Sequence, residues 1–151
     1  MDFNWVWGSG PTDVWAVGWD EDDAGVLAHY DGAAWSVVAA GPLAQLYGVW
    51  GSGRDDVYAC GEEGTLLHFD GSAWSTLDAG FDGTLWGVWG SGPDDVFAFA
   101  DLDGVLHWDG RSWSKLNVRS KNSFDYASGT GPTDAFVVEY EGSALLHYDG
   151  I

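Results

Sequence analysis

Four histidines, His29, His68, His107 and His147, stand 39, 39 and 40 residues apart. Each opens a tetrapeptide H-x-D-G whose aspartate, Asp31, Asp70, Asp109 or Asp149, lies two residues on. Imidazole and carboxylate are the groups of metal sites and of general acid–base chemistry. The spacing argues against both. Ligands of one ion must converge on a point, whereas residues that recur once per structural repeat each face their own unit. We therefore expect each histidine to be hydrogen-bonded inside its own repeat, with no metal or other cofactor. Residues i and i+2 on a strand share a face, so the aspartate of H-x-D-G is the nearest candidate partner. A second acidic set, Asp13, Asp56, Asp95 and Asp134, follows the glycine pairs Gly8/Gly10, Gly51/Gly53, Gly90/Gly92 and Gly129/Gly131. These carboxylates are expected to accept backbone N–H groups across a turn. The chain has no G-x-S-x-G, no nucleophile paired with a base and no metal-ligand spacing, so no catalytic residue is expected and the chain reads as a non-enzyme.

Binding chemistry has a better basis where the copies differ. Aromatic rings beside carboxylates suit sugars, because a ring covers the apolar face of a pyranose while acids take its hydroxyls. Trp19, Tyr47, Phe81 and Trp86 lie in or next to the variable turns and links and are the candidate ligand-binding residues. Tyr47 and Trp86 share one repeat position with Asn4 and Asp125. The turns at Trp19–Gly25, Glu62–Gly64, Asp101–Gly104 and Glu139–Gly142 are all acidic. They could attract Ca²⁺ or a basic partner, but none has the D-x-[DN]-x-[DN]-G spacing of a calcium loop, and solvated turns are expected.

The elements that position these residues follow from a second marker. Trp7-Gly8-Ser9-Gly10 returns as Trp50-Gly51-Ser52-Gly53, as Trp89-Gly90-Ser91-Gly92 and as Ser128-Gly129-Thr130-Gly131. In the second copy, the runs Leu46–Trp50, Asp56–Cys60, Thr65–Phe69 and Ala73–Leu77 read as strands separated by Gly- and Asp-rich turns. Four short antiparallel strands per repeat of about 40 residues make a β-propeller blade. The fold expected is all-β, with blades at about 3–44, 45–84, 85–122 and 123–151 of a single domain. The fourth copy lacks the fourth strand that Trp35, Trp74 and Trp113 mark in the others. Those three tryptophans are expected to cover the packing between blades. Trp50 and Trp89 are expected to share a strand face with Leu46 and Leu85. Three alternatives stay open: a closed four-blade ring, a ring completed by a second copy, or part of a longer propeller.

Composition narrows the partners. Asp and Glu number 24 against 5 Lys and Arg, a formal net charge of −19, which would repel a phosphate backbone, so nucleic acid is excluded. Four of the basic residues, Arg111, Lys115, Arg119 and Lys121, crowd one stretch that could meet an acidic edge on another copy. The lone Cys60 has no partner for an internal disulfide. No apolar run is long enough to span a membrane, and residues 1–5 lack the character of a signal peptide.

The repeat length and the Asp/Trp punctuation resemble WD-repeat and kelch propellers. The unit H-[aromatic]-D-G-x-x-W-S at His29–Ser36, His68–Ser75 and His107–Ser114 resembles the Asp-box of sialidase-type propellers. The whole unit W-G-S-G-x-D-D-V…H-Y-D-G-x-x-W looks like repeats of bacterial secreted and surface propellers. That resemblance implies a β-propeller, a turn-stabilising role for Asp31, Asp70, Asp109 and Asp149, and a secreted or surface location. A sialidase also needs arginines from several blades, and this chain has three in all. The function expected is a non-catalytic module presenting repeated shallow sites to glycans or proteins; a self-assembling element is the alternative.

Overall fold

The computed structural model describes residues 1–40, 43–101, 104–117, 123–139 and 145–148. Among them the regular structure is entirely β. The first sheet is a meander of β1 (Asp2–Gly10), β2 (Asp13–Trp19), β3 (Gly25–Tyr30) and β4 (Trp35–Ala40). The second contains β5 (Leu46–Gly53), β6 (Asp56–Gly61), β7 (Leu66–Phe69) and β8 (Trp74–Thr76). The third contains β9 (Leu85–Gly92), β10 (Asp95–Ala100), β11 (Gly104–Trp108) and β12 (Trp113–Asn117). The fourth contains β13 (Phe124–Gly131), β14 (Asp134–Glu139) and β15 (Leu145–Tyr148). Every pairing is antiparallel and sequential, the blade arrangement expected from the repeat.

Each inner strand is longer than its apolar run. The stretch Gly51-Ser52-Gly53, expected as a turn, is still paired with β6, and the turn proper is Arg54-Asp55. Pairing survives because the strand bulges at Ser52, between Gly51↔Val57 and Gly53↔Asp56. The same irregularity falls at Ser9, Ser91 and Thr130. A second bulge lies near the start of each inner strand, at Asn4, Tyr47, Trp86 and Asp125. A bulge inserts one residue and thereby moves everything beyond it to the opposite face. This overturns one expectation. Leu46 and Val49 pack with Trp15, Val17 and Leu27 of the first sheet, whereas Trp50 packs with Leu85, Val88 and Val96 of the third. Trp89 likewise turns away from Leu85, toward Phe97 and Phe124.

The flipped tryptophans interlock the blades. A Cβ built on Gly51 would lie 2.6 Å from Trp7 Cη2, one on Gly90 2.6 Å from Trp50 Cη2, and one on Gly129 2.9 Å from Trp89 Cη2. The indole of each W-G-S-G thus covers the first glycine of the next, and only glycine leaves room for it. Between the sheets lie three apolar layers, in which Leu27, Leu46, Leu66, Leu85, Leu106 and Phe124 are fully buried. Each such side chain contributes about 1.5–3 kcal/mol relative to exposure. Cys60 belongs to the middle layer, where burial pushes its thiol pKa up and keeps it protonated.

Trp74 and Trp113 cover the first and second layers, but Trp35 does not. It is 52% exposed, because no described sheet lies on its side of β4.

Two glycines of β9 separate these effects. Beside Gly90 an added Cβ meets Asp95 O at 2.5 Å as well as Trp50, while beside Gly92 nothing lies within 4 Å. Gly90→Ala is expected to cost about 1–3 kcal/mol in denaturant unfolding, by overpacking. Gly92→Ala should stay within about 0.5 kcal/mol of wild type.

Candidate functional site

Each blade carries a linked group of four side chains. In the first, Ser9 Oγ donates to Asp13 Oδ2, His29 Nε2 lies 2.7 Å from Asp13 Oδ1, and the imidazole packs on Trp15 with ring centroids 4.3 Å apart. Ser52–Asp56–His68–Tyr58 and Ser91–Asp95–His107–Phe97 repeat it with the same 2.7 Å contact, and Thr130–Asp134–His147–Phe136 with 2.9 Å. The bulge aims the hydroxyl at the carboxylate. The carboxylate only accepts, so both its neighbours donate and the imidazole proton sits on Nε2. Around Asp13, burial raises the carboxyl pKa, but the hydrogen bonds from Ser9 and His29 outweigh it and hold the group below its usual value. At Asp134, the Thr130 hydroxyl and then His147 do the same.

The order of these groups matters chemically. In a hydrolytic triad the histidine stands between nucleophile and acid and takes the hydroxyl proton. Here the aspartate stands in the middle, and the hydroxyl donates to it rather than to the imidazole. Such a group ties the inner strand to the second and third strands. The histidine partner is therefore the second-strand aspartate, not Asp31, Asp70 or Asp109 as the i, i+2 argument suggested. The hydroxyl and the aromatic were not singled out from the sequence. The signal was there: a hydroxyl stands four residues before the aspartate in all four copies, even where Trp7 has become Ser128.

The aspartates of H-x-D-G hold the turn into the fourth strand. Asp31 Oδ1 accepts from Ala33 and Ala34 N–H at 2.8 and 2.9 Å, Asp109 Oδ1 from Arg111 and Ser112 N–H at 2.9 Å each. Asp70 Oδ1 adds the Ser72 hydroxyl, at 2.7 Å, to the N–H groups of Ser72 and Ala73. The following glycines adopt φ of +94°, +88° and +83°, the left-handed region that glycine enters freely. Asp149 lies outside the described residues. So do Arg119 and Lys121 of the basic stretch. Among the described residues no three potential ligands gather as a metal site, and the acidic turn at Asp20 is closed by its own backbone, from Asp22 and Ala24 N–H.

The variable positions converge on the inner strands. Trp19 meets Tyr47 edge-on at 5.9 Å, and Tyr47 stacks on Trp86 at 4.8 Å. Tyr47 is only 9% exposed; it fills the space between the two indoles rather than offering a platform. Its hydroxyl donates to Glu62 Oε1 at 2.8 Å, and burial followed by this contact raises its pKa to about 12. Trp86 is 36% exposed and donates through Nε1 to Asp101 Oδ1 at 2.6 Å. A narrow cleft beside it is lined by Trp5 and Tyr126, which also contact each other at 5.3 Å and are both exposed. Sequence reading missed Trp5 and Tyr126, the residues that follow the bulges at Asn4 and Asp125. Phe81 is elsewhere: it packs on the Tyr58–Leu106 layer, with Lys115 Nζ 5.8 Å from its ring centroid.

No family model matches this chain, and no curated protein matches it. Solved structures that share its architecture include two of YCF48. One is YCF48 bound to D1 peptide, at TM-score 0.70 and 18% identity. The other is YCF48 from Cyanidioschyzon merolae, at TM-score 0.77 and 13% identity. Together with the four meander sheets, this decides the architecture. The fold is a β-propeller. Each comparison covers 97% of this chain and 50% of the other, so the chain spans about half the length of these propellers.

The turn aspartates make a prediction about pH. Hydrogen bonds from Ser72 and Ala73 hold the Asp70 carboxyl at a pKa of about 2, below the ordinary 3.8. A depressed carboxyl stabilises the fold above its unfolded pKa and loses that effect as pH falls through its folded pKa. Asp70→Ala should therefore lower Tm at neutral pH. The gap to wild type should hold down to about pH 4 and close toward about pH 2. A gap independent of pH in calorimetric scans would contradict this.

Proposed function

We propose that this chain is a non-catalytic β-propeller module that binds a segment of a partner protein. The observation that carries the reading is the cleft at the inner strands, where exposed Trp5, Trp86 and Tyr126 converge on a chain of net charge −19. A bulge releases Trp86 from the strand ladder, and Trp5 and Tyr126 stand one residue past the bulges at Asn4 and Asp125, paired opposite Val17 and Val138. Exposed aromatic faces in a negative field suit guanidinium and ammonium groups, through cation–π contact and electrostatic attraction. The Ser/Thr–Asp–His order supports a non-catalytic role, since each hydroxyl is committed to a carboxylate. A peptide bound to one structural neighbour is a precedent for the fold in this use. Asp101 Oδ1 receives both Trp86 Nε1 and the Ser123 hydroxyl, which fixes the orientation of the indole at the cleft.

A fluorescein-labelled nona-arginine peptide should bind saturably. Trp86→Ala should weaken it by roughly tenfold while Trp86→Phe retains most of the affinity. Equal binding by Trp86→Ala would sink the reading, and saturable binding on a glycan array in its place would restore the lectin alternative.

A second reading, self-association into a larger ring, rests on the two end faces. Phe3, Val6 and Trp35 on the first sheet are the repeat equivalents of Leu46, Val49 and Trp74, which pack against a preceding blade; Val6 is 61% exposed. Phe136, Val138 and Leu145 on the fourth are equivalents of Trp15, Val17 and Leu27, which pack against a following one; Leu145 is 65% exposed. The two faces are thus the two halves of one type of interface. Light scattering should give twice the 16.2 kDa chain mass. A chain-mass result would remove self-association.

A further inference from the structure

The interface between the second and third sheets departs from the one before it. Tyr58 and Trp108 hold the places that Trp15 and Phe69 hold at the first interface, each beside a fourth-strand tryptophan. At the first, the Trp74 ring lies 5.1 Å from Trp15 and 5.5 Å from Phe69, centroid to centroid. At the second, Trp113 lies 6.3 Å from Tyr58 and 6.0 Å from Trp108. A phenol has replaced an indole, and the neighbouring rings have not closed the gap. An open cavity of about 450 Å³ lies there, between two complete four-stranded blades, with Tyr58, Leu77, Trp108 and Trp113 as its apolar walls.

Two opposite charges also line it, Asp78 from the link after β8 and Arg111 from the turn before β12. Arg111 is particular to this blade, since the same position holds Ala33 in the first and Ser72 in the second. Among the described residues no carboxylate lies within ion-pair distance of its guanidinium. Asp78 Oδ1 accepts the Gly80 N–H at 2.9 Å, and its second oxygen has no described donor. His68, also on the wall, is committed through Nε2 to Asp56.

Ligand pockets of roughly 300–1,000 Å³ are mostly apolar, with a few polar groups that set orientation. Here those groups are a guanidinium, which suits a carboxylate, and a carboxylate, which suits an ammonium. A plain anion would be repelled by a chain of net charge −19, and a plain cation by Arg111. A zwitterion with a flat ring meets neither penalty and satisfies both groups. We infer that this cavity binds a free aromatic amino acid. Its ring enters among Tyr58, Trp108 and Trp113, its α-carboxylate meets Arg111 and its α-ammonium meets Asp78. The site lies at the outer strands, apart from the aromatic cleft at the inner strands, and does not depend on it.

The test is calorimetric titration of the intact chain with L-phenylalanine, L-tyrosine and L-tryptophan. At least one should bind saturably, one molecule per chain. Arg111→Ser, the residue of the second blade, should weaken that binding roughly tenfold, and so should Asp78→Asn, which keeps an acceptor for Gly80 N–H. Both side chains are exposed, so both variants should fold as wild type does. Tyr58→Trp, the residue of the first interface, should fill the cavity and abolish binding. No saturable binding of any of the three, or unchanged affinity in Arg111→Ser or Asp78→Asn, overturns the inference.

Discussion

The tryptophan of one blade resting on the glycine of the next is the contact on which the rest of this structure depends. It is local in composition and non-local in action. Trp7, Trp50 and Trp89 reach across to Gly51, Gly90 and Gly129, where a methyl group would collide with the indole. A bulky apolar group therefore fixes the distance between sheets, and a missing side chain accepts it. The apolar layers can then interdigitate at close-packed density. Every other feature, including the placement of the aromatic cleft, presumes sheets held at this separation.

The indoles point to the next blade only because each inner strand bulges near its start. Without the extra residue, Trp50 would share a face with Leu46 and pack backward. The bulge also creates a position outside the ladder, occupied by Asn4, Tyr47, Trp86 and Asp125, whose identity the fold does not constrain through pairing. A second bulge, farther along the strand, does the opposite. It presents Ser9, Ser52, Ser91 or Thr130 to an aspartate that also holds a histidine, so the same backbone device secures the blade at one end and frees it to vary at the other.

Constancy and variation are thereby separated in space. The hydroxyl–carboxylate–imidazole groups and the turn aspartates recur because each satisfies polar groups of its own blade, where an unpaired buried polar atom would be costly. Some polar atoms remain unpaired even so. Among the described residues the indole N–H groups of Trp15, Trp74 and Trp113 meet no acceptor, and Trp74 is edge-on to Trp15. Variation gathers at the inner-strand starts and at the end faces.

The fold class was legible in the sequence because a repeat announces itself by period, and alternating apolar runs between glycine and aspartate turns leave little but a strand meander. The W-G-S-G and H-x-D-G strings were legible as structural for the same reason. Their chemistry was not. Pairing of His29 with Asp13 rather than Asp31 joins two strands 16 residues apart, and i, i+2 reasoning sees only one strand. Likewise Trp19, Tyr47 and Trp86 were visible as variable aromatics, but the burial of Tyr47, the departure of Phe81 to another layer and the arrival of Trp5 and Tyr126 were not. Sequence alone determined the repeat, the strands and the acidic surface, since these depend on local pattern and summed charge. Tertiary structure decided which face each side chain took, because a one-residue bulge reverses the strand's facing and is specified only by the sheet that forms around it.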